Sequence, residues 1–442
     1  MKLSVIGAGY LGAVHAASMA KLGFDVVAVD VDGARIAALA SGRAPFFEPG
    51  FDELLVEVGG DRLRWTTDYA EVADADIHFL CVGTPQRRGS HAADLTYVWA
   101  AVDSLIPHLR PGSVIAGKST VPAGTSAEIE QRIAEDWAGD GTLPTLVWNP
   151  EFLREGFAVQ DTLHPDRIVV GLPDGSAGHM ADAAMREVYA ELIAEGIPYL
   201  ATDRVTAELV KVAANAFLAT KISFINAMAE VCEATGGDVM MLADAIGHDE
   251  RIGRRFLGAG VGFGGGCLPK DIRAFSARAG ELGVDQALTF LREVDDINAR
   301  RRDRAVTATR ALVGGSLRGV RVCVLGAAFK PDSDDVRDSP ALDIAARIQN
   351  EGAAVVVHDP KALANAERRF PALAYEQDLE RALTGAEVVL LLTEWREYRE
   401  LDPAQVAHIV ARPQILDGRN ALSAPAWRAA GWTYRGMGRE QG

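Results

Sequence analysis

Three groups of residues in this chain have the types and spacing for covalent and proton chemistry. The first is the run from Gly262 to Asp271, Gly-Phe-Gly-Gly-Gly-Cys-Leu-Pro-Lys-Asp. Glycine loses the most backbone entropy on ordering and proline lacks a donor. The run therefore suits a loop whose backbone comes close to something bulky. Cys267 stands in it, with Lys270 and Asp271 close behind. A nearby cation raises the thiolate fraction of a thiol, which makes a nucleophile; a glycine-rich turn with an incidental thiol is the alternative. The second group is Lys211 and Asn215, four residues apart and so on one helical face, within an apolar run that includes Val210, Val212 and Phe217. They read as a site, or as the rim of a dimer interface. The third is Glu151 and Glu155, in Asn149-Pro150-Glu151-Phe152-Leu153-Arg154-Glu155-Gly156. On a helical turn these acids share a face and can act as general base and water-orienting group. The alternative is an exposed acidic face.

Apolar runs and their punctuation supply the elements that position these groups. Residues 2–6 read as a buried strand, followed by Gly7-Ala8-Gly9-Tyr10-Leu11-Gly12, a helical pattern over 13–22, a strand over 24–29, and Asp30. This order is strand, G-x-G-x-x-G, helix, strand, acid, with the acid 18 residues past Gly12. The glycines let amides approach a pyrophosphate at a helix N-terminus, and Asp30 can accept from ribose hydroxyls. An acid there favours NAD, because a 2′-phosphate would be repelled. Arg35 is placed near the adenine or ribose. Further strands fall at 75–82, 113–116, 145–148 and 166–171. Thr84 and Thr120 follow two of them, at the carboxyl ends where ligands lie in open α/β sheets, or else they cap the next helices.

From about residue 203 to 304 the pattern is helical. Residues 206–234 contain no glycine or proline and make a helix of about 40 Å, a candidate dimer seam. Arg251, Arg254 and Arg255 form a basic cluster suited to a phosphate-bearing ligand. Arg300 to Arg302 reads as the solvated end of a helix over 288–304. Residues 319–326 open a third unit, with a strand leading to Phe329 and Lys330, a helix over 340–349, a strand over 354–358 ending in Asp359, and strands at 387–392 and 415–416. It lacks the full glycine fingerprint, which argues against a second dinucleotide. A mononucleotide held by Lys330 and Arg419 fits better, and Arg337 is placed to reach a cofactor. Residues 437–442 look loose. The fold class expected is α/β: two Rossmann-type domains joined by a long central helix in an all-α dimerisation domain, with divisions at 1–203, 204–305 and 306–442.

Bulk properties narrow the function. A chain of 442 residues with 48% hydrophobic and 24% charged residues is an ordinary globular protein. Its net charge of −16 argues against nucleic acid or an anionic membrane as partner. Cys81, Cys232, Cys267 and Cys323 are widely spaced and form no C-x-x-C, which fits a reducing cytosol and no zinc site. No signal peptide is read, and no apolar run reaches the roughly 18 residues that span a membrane.

In this order the motifs resemble the UDP-glucose/GDP-mannose dehydrogenase family of nucleotide-sugar dehydrogenases over nearly the whole chain. The resemblance rests on Gly7 to Gly12 with Asp30, Val82-Gly83-Thr84-Pro85, Lys118 to Pro122, Asn149 to Gly156, Lys211 with Asn215, Arg251-Ile252-Gly253, Gly264 to Asp271, Phe329-Lys330 and Asp417-Gly418-Arg419. Gly266 stands where the family often has serine, a change expected to matter little. The resemblance implies a four-electron oxidation of UDP-glucose to UDP-glucuronate with two NAD per turnover. Cys267 would trap the aldehyde as a thiohemiacetal and carry the thioester, Lys211 and Asn215 would stabilise oxyanions, and Glu151 and Asp271 would manage protons. Glu155 and Thr120 would support water and cofactor. Phe152, Leu153, Lys330, Arg419 and the loop containing Phe263 and Gly264 would hold the substrate, with Phe256, Leu257 and Phe329 beside it. Arg251 would reach a partner subunit's site in a homodimer or higher oligomer. Related enzymes act on GDP-mannose or UDP-N-acetyl sugars. A two-electron β-hydroxyacid dehydrogenase and a non-catalytic nucleotide-sugar sensor are the rivals.

Overall fold

The computed structural model describes residues 1–60 and 62–439. The chain divides into two compact units, Met1–Ala214 with Arg273–Gly283, and Asn215–Ile272 with Val284–Gly442.

The first unit is built on eight strands: β1 (Lys2–Ile6), β2 (Asp25–Val29), β3 (Leu63–Thr66), β4 (Ile77–Leu80), β5 (Val114–Gly117), β6 (Thr145–Trp148), β7 (Ile168–Leu172) and β8 (Tyr199–Asp203). Their order across the sheet is β3-β2-β1-β4-β5-β6-β7-β8. Neighbours run parallel except β6 and β7, which meet antiparallel at Trp148 and Gly171. The inner strands are buried almost throughout, as in a parallel sheet covered on both faces, which explains their unbroken apolar runs. The sheet order reverses beside β1, so the carboxyl end of β1 faces the crevice where such folds take ligands.

The 32-residue helix Arg204–Thr235, about 48 Å long, carries the chain onward into the second unit. Among the described residues it is the one helix long and apolar enough to cross a membrane, which corrects the expectation that no run reaches that length. Yet Glu208, Lys211, Asn215, Ser223 and Asn226 are all buried along it, a polar inner face that a lipid-spanning helix would not carry without partners.

The second unit holds an all-parallel sheet in the order β11-β10-β9-β12-β13-β14: β9 (Arg321–Leu325), β10 (Ala354–His358), β11 (Ala374–Tyr375), β12 (Val388–Leu391), β13 (Gln414–Asp417) and β14 (Thr433–Gly436). Its first turn repeats that of the first unit. Gly7 N donates to Val29 O and Ala8 N to Asp30; Gly326 N donates to His358 O and Ala327 N to Asp359, each at 2.7–2.8 Å. Here the acid also takes Ala328 N, Lys361 N, Ala362 N and the Trp395 indole N–H. A carboxylate so enclosed has no face left for a ribose, which agrees with the missing glycine fingerprint.

Two local expectations fail in this unit. Arg300 to Arg302 is not a solvated helix end: the helix runs Phe290–Leu312, and Arg301 is fully buried, donating from Nε to Gly260 O at 2.9 Å. Burial pushes its guanidinium down to about 10. Nor is Met437–Arg439 loose. Met437 N donates to Asn420, Gly438 N to Glu233, and Arg439 pairs with Asp238. Residues 440–442 of that expectation lie outside the described residues.

Candidate active site

In the first unit the turn between β1 and the helix Tyr10–Lys21 has three glycines with three different physical reasons. Gly7 sits at φ +94°, a left-handed conformation, and a Cβ there would lie 2.9 Å from Val82. A Cβ on Gly12 would lie 1.8 Å from Gly7 O, so no side chain fits. Gly9 has an ordinary φ of −67° and nothing within 4 Å of where a Cβ would stand. The protein itself does not require glycine at that position; a pyrophosphate lying against the helix N-terminus would. Asp30 is buried at the end of β2, with Oδ2 accepting from Ala8 N at 2.7 Å and Oδ1 from Asp32 N at 2.9 Å. Arg35 Nη1 lies 3.0 Å from both oxygens. A cavity of about 410 Å³ opens beside Gly9, Tyr10, Arg35 and Phe46. These residues fit NAD: an open glycine at the helix start, an acid for the ribose, and a cavity lined by an arginine and two aromatic rings. Leu11 packs against the apolar core under the turn.

Thr84 Oγ1 donates to Thr120 O at 2.7 Å, so the two strand ends are tied together. Neither threonine caps a helix, since the next helices begin at Thr96 and Thr125. The segment carrying Glu151 is not helical, contrary to expectation. Gly156 turns at φ +79°, the helix starts only at Ala158, and Glu151 Oε2 accepts from Leu153 N at 2.7 Å. Glu151 instead faces Lys211, with Oε1 3.1 Å from Nζ in a largely buried ion pair. Lys211 also lies 5.7 Å from the Phe152 ring centre, and Arg167 stacks on that ring at 3.9 Å. Lys118 is buried behind this pair, donating to Asn149 Oδ1 at 3.1 Å, and burial pushes its ammonium down.

In the second unit Cys267 is exposed, whereas Cys81, Cys232 and Cys323 are buried. Its carbonyl accepts from Asp271 N at 2.8 Å, which places it at the start of the helix Leu268–Glu281. Asp271 is buried and receives Asn215 Nδ2 at 2.6 Å, with Lys270 Nζ at 2.7 Å. Lys211 and Asn215 are thus one turn apart on the long helix but hold different acids. The glycine loop is pressed against its own unit: a Cβ on Gly264 would meet Asp338 O at 2.3 Å, and one on Gly265 the Phe329 ring at 2.8 Å. At Gly266 a Cβ would stand 2.2 Å from the Arg337 guanidinium carbon. The atoms in the way are the far end of a flexible, largely exposed arginine side chain, so a serine here would ask only for that end to swing aside. Arg337 itself pairs with Asp335 at 2.8 Å.

Arg419 donates to Leu392 O, Gly262 O and Phe329 O, at 2.7, 2.8 and 3.1 Å. It clamps the loop to the end of the second sheet. Lys330 Nζ lies 5.6 Å from the Phe329 ring centre. Leu257 is buried in an apolar cluster, which leaves only its backbone for a ligand, and Phe256 is exposed at φ +67°. Of the basic cluster, Arg251 pairs with Asp249 and Arg254 with Asp244, so acids offset two of its three charges.

The sequence reading missed three residues that hold this machinery. Asn298 brackets Phe263, accepting from its N–H at 2.8 Å and donating to its carbonyl at 2.9 Å. Buried Glu208 accepts from Gly124 N and Ser126 N at 2.7 and 2.6 Å, anchoring the loop after Thr120, and burial pushes its carboxyl up. Glu48 accepts from Gly156 N and Ala158 N. None carries a local signal, because each acts on backbone far away in sequence.

A dinucleotide cradle on one Rossmann sheet, with a buried lysine–carboxylate pair in the same unit, defines a nicotinamide-dependent dehydrogenase. The chain belongs to the UDP-glucose/GDP-mannose dehydrogenase family: its NAD-binding domain matches residues 1–193, its central domain 205–300 and its UDP-binding domain 323–424. It is an NAD-dependent oxidoreductase. It is 42% identical to the UDP-glucose 6-dehydrogenase of Rhizobium meliloti (strain 1021), over 99% of this chain and 100% of that one. It is 40% identical to UDP-glucose 6-dehydrogenase TuaD of Bacillus subtilis (strain 168), over 99% and 93%. Among solved structures, a UDP-glucose dehydrogenase from Pyrobaculum islandicum superposes with a TM-score of 0.89 at 36% identity, covering 99% of this chain and 98% of that one.

Proposed function

We propose that this protein oxidises UDP-glucose to UDP-glucuronate in two successive oxidations, through a covalent intermediate on Cys267. The observation that carries this reading is the single exposed cysteine at the start of a helix, in a chain 42% identical over its length to a UDP-glucose 6-dehydrogenase. A helix N-terminus favours negative charge, and so the thiolate.

Gly7 to Gly12, Asp30 and Arg35 would hold NAD⁺, which would supply the hydride acceptor for each oxidation. Glu151, paired with Lys211, takes the alcohol proton, and the Lys211 ammonium stabilises the developing oxyanion, with Asn215 as second donor. One positioned donor of this kind contributes about 3–4 kcal/mol. Cys267 Sγ adds to the aldehyde carbon and its proton passes to the oxygen, giving a thiohemiacetal that keeps the aldehyde from escaping. Loss of the second hydride and that proton leaves a thioester. Water, oriented by Glu151 and Glu155, attacks it; the C–S bond breaks, the thiol regains its proton through Asp271, and the carboxylate leaves. Thr120 supports the cofactor, and Arg337 reaches it.

Substrate is held by Phe152 and Leu153 backbone, by Arg251, Phe256 and Leu257, and by Phe263, Gly264, Phe329, Lys330 and Arg419. We keep the division into an NAD domain (1–203), a central helical domain (204–305) and a UDP domain (306–442). The protein works as a homodimer or larger homo-oligomer in the cytoplasm, where unpaired thiols persist. Phe217, Phe224 and Val231, exposed at seven-residue spacing on the long helix, support such an interface.

The test is NADH formed per UDP-glucose consumed, for wild type and Cys267→Ser. Two NADH for wild type, with the variant stalled before acid is released, supports the scheme. One NADH with an indifferent variant overturns it in favour of a two-electron dehydrogenase. Turnover of GDP-mannose or a UDP-N-acetyl sugar alone keeps the chemistry and changes the substrate.

A further inference from the structure

We infer that Glu48 is a positioning residue that couples the dinucleotide cradle to the segment carrying Glu151, Phe152 and Leu153. Glu48 lies in the loop before the helix Phe51–Val58, with 6% of its surface exposed. Its two oxygens are divided between two structures. Oε2 accepts from the hydroxyl of Tyr10, the first residue of the helix that opens the cradle, and from Gly156 N at 2.6 Å. Oε1 accepts from Ala158 N at 2.7 Å. The Tyr10 hydroxyl itself accepts from Gly156 N at 3.0 Å, which closes a three-membered network.

The same tyrosine faces the cavity. Its ring packs on Phe46 at 4.7 Å between centres, and both line the space beside Gly9. The network therefore has one end on the wall a dinucleotide would touch. Its other end is on the turn that closes residues 151–156, which have no helix or strand of their own to hold them. Glu151 Oε2 bonds to Leu153 N within the segment, and Arg154 pairs with Asp161. Glu48 adds the tie to the cradle. A ligand that fixes Tyr10 thereby steadies Gly156, and by reciprocity a seated substrate segment favours dinucleotide binding. A buried carboxylate with three donors is well suited to this, because hydrogen bonds to a charged acceptor are about twice as strong as neutral ones.

This inference rests on the proposed substrate role of residues 151–155, but its test does not depend on the sugar. Hydrogen exchange is followed by mass spectrometry on the peptide spanning 151–158, with and without NADH, in wild type and in Glu48→Gln. NADH is expected to slow exchange of that peptide in wild type. In Glu48→Gln the slowing is lost while NADH still binds, and the KM for UDP-glucose rises about tenfold, the size of one hydrogen bond to a charged group. The inference is overturned by a wild-type peptide indifferent to NADH, or by a variant that keeps the full response. A variant that binds NADH about tenfold more weakly in the absence of UDP-glucose also overturns it, since Glu48 would then serve the cofactor alone. Should Glu48→Gln fail to fold, the wild-type comparison decides. Absence of UDP-glucose turnover bears on the substrate and leaves the exchange result standing.

Discussion

At the scale of single residues, the fingerprint glycines make a paired prediction. Gly9→Ala meets no protein atom within 4 Å, so its melting temperature should stay within a few degrees of wild type while NAD⁺ affinity collapses. Gly12→Ala puts a methyl 1.8 Å from Gly7 O and should lower the melting temperature as well. Thermal melts and NADH fluorescence titration on the two variants separate ligand clearance from packing; equal melting losses would remove the argument that Gly9 is open for a ligand. Asp30 makes a second prediction. Arg35 is held 3.0 Å from its oxygens and 3.5 Å from Asp32, so Asp30→Ser leaves the guanidinium beside the ribose position with Asp32 as its remaining acid. The ratio of kcat/KM for NADP⁺ to that for NAD⁺ should rise at least tenfold, since one repulsion goes and one bidentate donor appears. Cys267, Lys211, Glu151 and the glycine turn could be singled out from the sequence because the residue types and spacing that suggest chemistry lie close together along the chain. Glu48, Glu208 and Asn298 could not. They bond to backbone 108, 84 and 35 residues away, and a spacing that long leaves no pattern to read.

At the scale of elements, the ten inner strands were all found from apolar runs, and the long helix within two residues at either end. The four that were missed are β3, β8, β11 and β14, the edges of the two sheets. An edge strand is wetted on one side, so its residues alternate or mix instead of running apolar. β8 has no buried residue, and β3 has two of four. The helix Arg204–Thr235 yields a prediction of its own. Phe224→Asp, on the exposed apolar stripe, should shift the protein toward monomer in light scattering and leave NADH binding intact. An unchanged mass would move the interface elsewhere. The failed helical reading of Glu151 and Glu155 belongs here as well. A four-residue spacing carries meaning only where a helix exists, and Pro150 with the left-handed Gly156 leaves no room for one.

For the whole molecule, acid is the expected weakness of the first unit. His78 is buried in β4, 2.7 Å from Ser4 Oγ, and burial pushes its imidazole down to about 4. The unfolded chain protonates its histidine near the ordinary value of about 6.5 while the folded one stays neutral. Stability is therefore intact above that value and falls as the pH drops toward about 4, by roughly 3 kcal/mol if this group acts alone. His78→Gln should flatten the decline in melting temperature between neutral pH and pH about 4.5. A variant with the same slope as wild type would assign acid sensitivity to other groups, such as buried His15, whose imidazole is also pushed down.

The placement of the four cysteines has a practical consequence. Cys81 and Cys323 are sealed in the sheets with thiols pushed up to about 12, Cys232 is buried, and only Cys267 meets solvent. The native chain thus carries one reagent-accessible handle, and unfolding uncovers three more. A chromogenic disulfide reagent would count one equivalent on the intact protein and four in denaturant. A single maleimide dye would mark the glycine-rich loop that carries Cys267 without any engineered cysteine, and its protection by added ligand would report occupancy in real time.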